Sequence, residues 1–296
     1  MDAIISAAGF GVATAAIIAL GAVGFSMQFA VTNILNIAYG SVMIASAFAV
    51  YYMTTLGVNV WMGLPIGAIV GALLSYLINK GIYSRFGARG IGLSGMVIVT
   101  LGVGIVLQNI LLALSGITYL NYNVQLGANV HVGAVNLTTA QLVVIGIAIV
   151  AMLLTHFLLV GTKLGKAMRA TSSNPSLARA CGIHTQRVVD VAWVISGALC
   201  GLAGVTLGIS LRSFQASSGS DFLVIILAAA VLGGIGQPYG AMLGALVVGL
   251  VTEISTVFID PGYKNGVAFV VLVLFLVFRP SGLLGRDMSG NRELVA

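Results

Sequence analysis

Charged side chains are scarce in this sequence, and their scarcity excludes most classes of soluble protein. Only 7% of the 296 residues are Asp, Glu, Lys or Arg, against about 25% in an ordinary soluble domain. Hydrophobic residues make up 59%, and the mean hydropathy is +1.11. Because a spanning helix needs about 20 apolar residues, the chain has room for about eight or nine crossings and little else. The composition predicts an all-α polytopic integral membrane protein, with room for one or two discontinuous or re-entrant helices.

Residues that carry catalysis or bind metals are also few. The sequence has two cysteines and three histidines, none of them in a CxxC or HExxH spacing, and it has no GxxxxGK[ST] phosphate loop. No disulfide framework, metal site, cofactor or catalytic residue is expected, and the chain is not expected to be an enzyme. Glu253 lies in an apolar run, near the end of its predicted helix. It is either a buried coupling carboxylate or, as its position favours, an interfacial residue or a partner for a basic group.

The basic residues are clustered, and the clusters orient the chain. All but Arg212 and Lys264 lie at residues 80–89, at 161–188 or in the tail from Arg279. Because positive residues collect in cytoplasmic loops, these clusters predict one cytoplasmic side and leave little basic surface for nucleic acid. We expect a single transmembrane domain over 1–296, with a cytoplasmic loop at 161–188, a cytoplasmic tail at 279–296 and the N-terminus outside. Residues 119–138, which lack Lys and Arg, are expected to be external.

The loop at 161–188 contains a short predicted helix. Asn174 can cap it, Pro175 suits its first turn and Gly182 ends it. Leu177 and Cys181 are four residues apart and therefore share one face. A capped surface helix with an apolar face fits a groove on a partner, although an ordinary solvated loop helix has the same pattern.

Two apolar regions are interrupted. Uncharged polar residues crowd 26–41, between predicted spans at 9–29 and 34–56. They indicate either a surface turn or a discontinuous helix at membrane depth, which is tolerated only inside protein. Residues 222–232 are short for a crossing and run into a breaker cluster at 233–240.

In the span at 191–211, glycines at three- and four-residue spacing predict close packing against another helix: Gly197, Gly201, Gly204 and Gly208.

Several stretches, taken together, resemble one family. They are GKAMRATSSNPSLARACGI at 165–183, ISGALCGLAG at 195–204, LNIAYG at 35–40, VLGGIG at 231–236 with YGAMLG at 239–244, and FRPSGLLG at 278–285. In this combination and order they resemble the permease subunits of branched-chain amino acid ABC importers, of the LivH type. The family commonly has His where Tyr39 stands, so this position says nothing firm about substrate.

The resemblance implies a set of partners and a place in the cell. Such a permease pairs with a second permease subunit, as a related heterodimer or a homodimer, and binds two ABC ATPase subunits and a periplasmic solute-binding protein in the bacterial inner membrane. The family's coupling helix corresponds to residues 174–182. The residues expected to meet the ATPase are Asn174, Pro175, Leu177, Ala178, Cys181 and Gly182.

The transported solute and its pathway are less constrained. The resemblance implies branched-chain or other neutral amino acids, and urea or short amides remain alternatives within the family. From a different class, a stand-alone carrier or channel for small uncharged solutes also remains. Uncharged polar residues in the apolar runs are candidates to line the pathway, although polar residues in such runs more often bond helices together: Asn33, Asn36, Tyr39, Gln108 and Asn109.

Overall fold

The computed structural model describes residues 2–122, 129–132, 135–211, 213–279 and 282–284. Helices dominate the described chain, which confirms the all-α prediction. The helices are α1 (Asp2–Thr32), α2 (Tyr39–Thr55), α3 (Val60–Ile78), α4 (Ser84–Ala88), α5 (Leu93–Ser115), α6 (Thr139–Gly161), α7 (Lys163–Ser173), α8 (Pro175–Ala180), α9 (Thr185–Leu211), α10 (Ser218–Gly233), α11 (Pro238–Ser255) and α12 (Lys264–Phe278).

Seven helical stretches within the described residues are long and apolar enough to cross a membrane. They are Ile4–Thr32, Val60–Ala88, Leu93–Ser115, Thr139–Gly161, Thr185–Leu211, Pro238–Ser255 and Pro261–Phe278. The helices α2 and α10 are shorter, with 17 and 16 residues. The described residues thus contain seven candidate spans, against the eight or nine crossings that the composition predicted, and α2 and α10 are the two helices that fall short of a span.

Two elements differ from the sequence prediction. The basic cluster at residues 80–89 was expected to lie just beyond the end of a span, but most of it is helical, because the helix continues through a π-helical turn (Asn79–Tyr83) into α4. The expected external loop also contains a β-hairpin, whose strands β1 (Asn129–Val132) and β2 (Val135–Thr138) pair antiparallel. β2 leads directly into α6, whose N-terminus carries a capping box between Thr138 and Gln141.

α9 lies at the centre of the helical bundle and packs closely through its glycines. A β-carbon added to Gly201 would lie 2.0 Å from the Gly67 carbonyl oxygen on α3, and one added to Gly204 would lie 2.0 Å from the Met43 carbonyl oxygen on α2. Gly197 faces Gly71, and Gly208 faces the ring of Tyr122. Helix backbones therefore touch at the first three glycines of the stripe, as small residues allow in membrane proteins, and the fourth makes room for an aromatic ring.

The side of the bundle that carries α7 and α8 is called the loop face below. α1 ends at the loop face, where Met27 and Val31 pack against Met168 of α7. α11 runs antiparallel to α1, because Gly249 lies against Ala15 while Gly236, just before α11, lies against Ala30. α5 begins near the loop face and ends on the opposite face.

Candidate functional site

The polar join between α1 and α2 is unwound inside the protein. α1 ends at Thr32, Asn33 adopts a left-handed φ of 54°, and helical structure resumes only at Tyr39. The peptide N–H of Ile37 donates to the Thr100 hydroxyl, and Ser41 donates to the Gly104 carbonyl. Because both of those partners lie within the α5 span, the segment 33–38 is at membrane depth. The structure therefore selects the discontinuous helix over the surface turn, and α2 replaces the expected span at 34–56.

α10 is the second short helix, and its N-terminus meets that of α2. A β-carbon on Gly40 would lie 2.3 Å from the Gly219 carbonyl oxygen, and one on Gly219 would lie 2.2 Å from the Gly40 carbonyl oxygen. From this contact the helices leave in opposite directions. Near the end of α2, Tyr52 bonds to Leu114 at the end of α5, whereas α10 ends beside Gly240, at the start of α11 on the loop face.

Asn36 and Tyr39 are buried and hold the join in place. The Tyr39 hydroxyl donates to the Gly21 carbonyl at 3.0 Å, with the Ser196 carbonyl at 3.3 Å. Asn36 Oδ1 accepts a 3.1 Å bond from the Tyr83 hydroxyl. Both side chains are almost fully covered, so in this conformation they bond helices together.

The other candidate pathway residues lie apart from this pair. Gln108 is half-buried and accepts a 3.0 Å bond from Ser220 at the start of α10. Asn33 is exposed. Asn109 is also exposed and donates to the Ile105 carbonyl of its own helix. The structure therefore places Gln108 near the meeting point of α2 and α10, and it turns Asn33 and Asn109 to the outside of the subunit.

Sequence reasoning missed the residues that connect the join to the loop face. Asp190 on α9 accepts a bond from the Asn79 amide in the π-helical turn, at 3.2 Å. Tyr83, in the same turn, packs against Trp193 of α9 with ring centroids 5.1 Å apart. Asp190 could have been identified from the sequence, because it is a single acidic residue near the loop-face end of an apolar span. Such a charge needs a partner.

Some buried polar atoms near these residues lack a hydrogen bond. In the described part of the chain they are Ser26 Oγ, Gln28 Nε2, Thr171 Oγ1 and Trp193 Nε1. The side-chain oxygen of Gln28 is hydrogen-bonded, because its Oε1 accepts from the Ser196 hydroxyl. A buried unpaired polar group costs about 1–3 kcal/mol, so this region is not the most tightly bonded part of the bundle.

On the loop face, α8 is a short helix with a well-formed N-terminal cap. The Asn174 side chain accepts from the N–H groups of Ser176 and Leu177 at 3.1 and 2.9 Å, and Pro175 occupies the first turn. Gly182 has a φ of 83°, and the N–H groups of Gly182 and Ile183 bond back to Arg179 and Ala178. The helix ends at Ala180, one residue earlier than expected, with Cys181 as its C-cap.

The two faces of α8 differ in exposure. The side chain of Leu177 is 61% exposed and Cys181 is exposed, whereas Ala178 is buried at 4%. Ala178 thus packs toward the protein, while Leu177 and Cys181 point away from it. The preceding helix, α7, buries Met168 and Thr171 against the bundle. The exposed apolar face of α8 therefore projects from the protein, while α7 packs against the bundle beneath it.

Glu253 forms an ion pair near the face opposite the loop face. Lys264 Nζ lies 2.8 Å from each carboxylate oxygen of Glu253, and the Thr14 hydroxyl donates to Oε1 at 2.8 Å. The partner role suggested by the sequence is therefore the one the structure shows. Among the described residues, no group of three His, Cys, Asp or Glu is placed to hold a metal ion.

Comparison with known proteins identifies the family. The family model for the branched-chain amino acid transport system permease component matches residues 8–276. The chain is 30% identical to the high-affinity branched-chain amino acid transport system permease protein BraD of Pseudomonas aeruginosa, over 90% of this chain and 91% of that one. It is 28% identical to LivH of Salmonella typhimurium, over 93% and 94%.

More distant similarities extend to a sugar permease in sequence and to one solved structure in fold. The chain is 25% identical to the ribose import permease protein RbsC of Escherichia coli, over 86% of this chain and 80% of that one. Its fold is similar to a chain of PsaBC from Streptococcus pneumoniae in complex with Fab, with a TM-score of 0.51 and 17% identity over 90% of each chain. The apolar spans and the family match together make this a multi-pass protein of the cytoplasmic membrane, and the chain belongs to the family of branched-chain amino acid transport system permease components.

Proposed function

We propose that this chain forms half of the pathway of an ATP-driven importer for branched-chain or other neutral amino acids, and that α8 couples it to an ATPase. The observation that carries the proposal is the two-sided exposure of α8. Leu177 and Cys181 face outward, and Ala178 is fixed to the bundle. A partner that moved the outward face would therefore move the bundle as well.

The partners follow from what the sequence lacks. It has no phosphate loop for ATP, so we place hydrolysis in two ABC ATPase subunits that bind the loop face. The basic cluster at 161–188 puts that face in the cytoplasm, with the N-terminus and the hairpin outside. A second permease subunit, related or identical, completes the pathway, and a periplasmic binding protein delivers the solute. The basic tail at 286–296 lies outside the described residues.

Force would pass from α8 into the discontinuous helices through α9. α8 is followed after four residues by α9, and Asp190 and Trp193 of α9 contact the π-helical turn. That turn holds Asn36 through Tyr83. Switching helices need a contiguous set of packed and hydrogen-bonded groups with two arrangements.

The cargo that best fits this interior carries no net charge. Glu253 is already neutralised by Lys264, and the candidate pathway groups are amides and hydroxyls. A zwitterionic amino acid needs polar groups for its two ends and apolar surface for its side chain. We propose that Gln108 and Asn109, on one partly exposed helix, line the pathway together with Asn33, whereas Asn36 and Tyr39 position the discontinuous segment. Urea and short amides would satisfy the same groups.

Reconstituted transport tests the proposal. The chain would be placed in vesicles with its permease partner, its ATPases and its binding protein, and uptake of labelled leucine would be measured with and without ATP. We expect uptake only with ATP and with all components present. Uptake at the full rate without ATPase subunits would instead identify a stand-alone carrier and overturn the proposal.

The coupling role of α8 has its own test. Replacing Leu177 and Cys181 with Asp introduces charge on the outward face, and we expect ATPase co-purification and ATP-driven uptake to be lost. The matched control is Ile117→Asp with Tyr119→Asp, two exposed apolar residues beyond the end of α5 on the opposite face, which should leave co-purification intact. Unchanged co-purification and uptake in the Leu177/Cys181 variant would remove α8 from the coupling surface.

A further inference from the structure

An apolar groove runs along the outside of the bundle between α6 and α11, with α1 as its floor. Its volume is about 500 Å³. Small side chains, among them Ala15, Ala16 and Ala19, form the floor, and Ile149, Leu153 and Leu246 form part of the rims. The rim residues are exposed, so the groove opens toward the membrane.

The groove has the length of one lipid leaflet. It extends along α6 from Ile145 to His156, which at 1.5 Å per residue is about 16 Å. The hydrocarbon core of a bilayer is about 30 Å thick, so one leaflet is about 15 Å deep. Because residues 145–156 lie in the middle of α6 (Thr139–Gly161), the groove runs from the loop-face half of the span past its midpoint. Its apolar lining and its length suit a single acyl chain lying along the protein.

At its loop-face end the groove meets a cavity of about 430 Å³, whose mainly apolar lining also carries several polar groups. Tyr239 lines both spaces, and His156 Nδ1 lies 3.0 Å from the Tyr239 hydroxyl at the junction. The cavity is lined by Arg169, Ser172 and Gln237, among others. The Arg169 guanidinium bonds to the Leu159 carbonyl, which uses one of its five N–H donors. No other hydrogen bond of this guanidinium is formed within the described part of the chain, so its remaining donors can bind an anion there.

We infer that these two spaces together bind one anionic phospholipid from the leaflet on the loop face. One acyl chain lies in the groove, and the phosphate lies in the cavity beside Arg169. Charge complementarity supports a lipid over a second protein chain, because the surrounding loop carries five basic residues and no acid: Lys163, Lys166, Arg169, Arg179 and Arg187. Basic residues next to the cytoplasmic leaflet attract its anionic lipids.

The position of the site gives the lipid a structural role. The cavity is walled by α1, α6, α7 and the turn before α11, so a headgroup there bridges the base of the coupling loop to two spanning helices. The lipid would hold α7 against the bundle from the membrane side. This inference goes beyond the proposed function and does not depend on which solute is transported. It takes from that proposal only the assignment of the loop face to the cytoplasm.

Native mass spectrometry of the full-length chain in its complex tests the headgroup half of the site. The complex would be exposed to phosphatidylglycerol or phosphatidylcholine, and retained lipid would be counted for Arg169→Gln and for Lys166→Gln. Lys166 is an exposed base on the same helix that does not line the cavity. One basic residue near an anionic headgroup contributes about a fivefold change in binding. We expect phosphatidylglycerol retention to fall about fivefold in Arg169→Gln and by a clearly smaller factor in Lys166→Gln, because Lys166 lies outside the cavity. Phosphatidylcholine retention should be weak in all three proteins.

The acyl half is tested by filling the groove. Ala16→Phe should abolish retention, whereas Ala113→Phe, on the exposed side of α5, should not. Ala16→Leu is the gentler variant if Ala16→Phe lowers the yield of folded protein. Glycerol 3-phosphate alone, added at millimolar concentration, should not displace the lipid because it lacks an acyl chain.

Each contrary outcome overturns the inference. Equal phosphatidylglycerol retention in Arg169→Gln and Lys166→Gln would show that the cavity does not bind the lipid headgroup. Equal retention in the two Phe variants would show that the groove holds no acyl chain. Displacement by glycerol 3-phosphate would identify a soluble phosphate compound as the ligand. Loss of a second permease chain from the complex in Ala16→Phe, with lipid unchanged, would identify the groove as a subunit interface.

Discussion

The Tyr83 hydroxyl donates a 3.1 Å hydrogen bond to the side-chain oxygen of Asn36, and both residues are buried. Tyr83 belongs to a π-helical turn and Asn36 to the unwound segment before α2. π-helical turns inside α-helices occur frequently at functional sites. This bond therefore joins two irregular backbone segments.

Tyr83→Phe should destabilise the protein while leaving its packing almost unchanged. The ring keeps its contact with Trp193, but Asn36 Oδ1 loses its donor inside the bundle, at a cost of about 1–3 kcal/mol. Thermal unfolding in detergent measures this loss, and we expect leucine uptake to fall while ATPase co-purification holds. Tyr76→Phe is the control, because its hydroxyl contacts the exposed Lys80. Equal unfolding midpoints for the two variants would show that the buried bond contributes nothing.

Gly219→Ala should disrupt the meeting point of the two short helices. The added methyl group would lie 2.2 Å from the Gly40 carbonyl oxygen, and overpacking of this kind costs about 1–3 kcal/mol. The matched substitution is Gly146→Ala in α6, where a β-carbon meets nothing within 4 Å. Gly146→Ala should be neutral or stabilising, because alanine favours helix by about 1 kcal/mol over glycine. Comparison of the two unfolding midpoints checks the prediction, which fails if Gly219→Ala is as stable as Gly146→Ala.

Asn174→Ala should loosen α8 without disturbing the membrane helices. Loss of an N-cap side chain costs about 0.5–2 kcal/mol, and α8 has only six residues over which to absorb it. We expect weaker ATPase co-purification, a normal yield, and recovery in Asn174→Asp, which can accept the same two N–H bonds. Ser176→Ala is the control, because only its backbone N–H takes part in the cap. An Asn174→Ala protein that couples normally would show that the cap is dispensable.

The features that could be predicted from the sequence are those determined by a few residues close together in the chain. The caps of α8 depend on Asn174, Pro175 and Gly182 alone, so they could be identified without knowing any contact in the fold. The glycine spacing in α9 likewise predicted close packing, although not that Gly67 and Gly71 of α3 would be the partners.

Long-range pairings explain what the sequence could not predict. Asn36 and Tyr83 are 47 residues apart, and Gln108 and Ser220 are 112 apart. Nothing in one sequence pairs such amides and hydroxyls, so the five candidate pathway residues could be selected by polarity but not sorted into buried and exposed groups. The hydrophobic pattern also could not distinguish an unbroken transmembrane helix from the short helix α2 preceded by the non-helical segment 33–38. Both give one apolar stretch that is interrupted by polar residues.

Reversing the charges of Glu253 and Lys264 should distinguish a structural ion pair from a coupling carboxylate. Glu253→Lys alone places two ammonium groups together near the α11–α12 turn and should lower the unfolding midpoint. Adding Lys264→Glu restores an attractive pair and should recover most of the loss. The pair is partly exposed, with 35% of the Lys264 side chain accessible, so its contribution is expected to be about 1 kcal/mol or less. Lys264→Glu alone, which places two carboxylates together, is the matched control and should be destabilised to a similar degree. Since neither charge is assigned to solute or proton movement, uptake by the double variant should keep its dependence on ATP and its wild-type pH profile. A double variant that folds well but no longer transports leucine would mean that the Glu253 carboxylate itself takes part in transport.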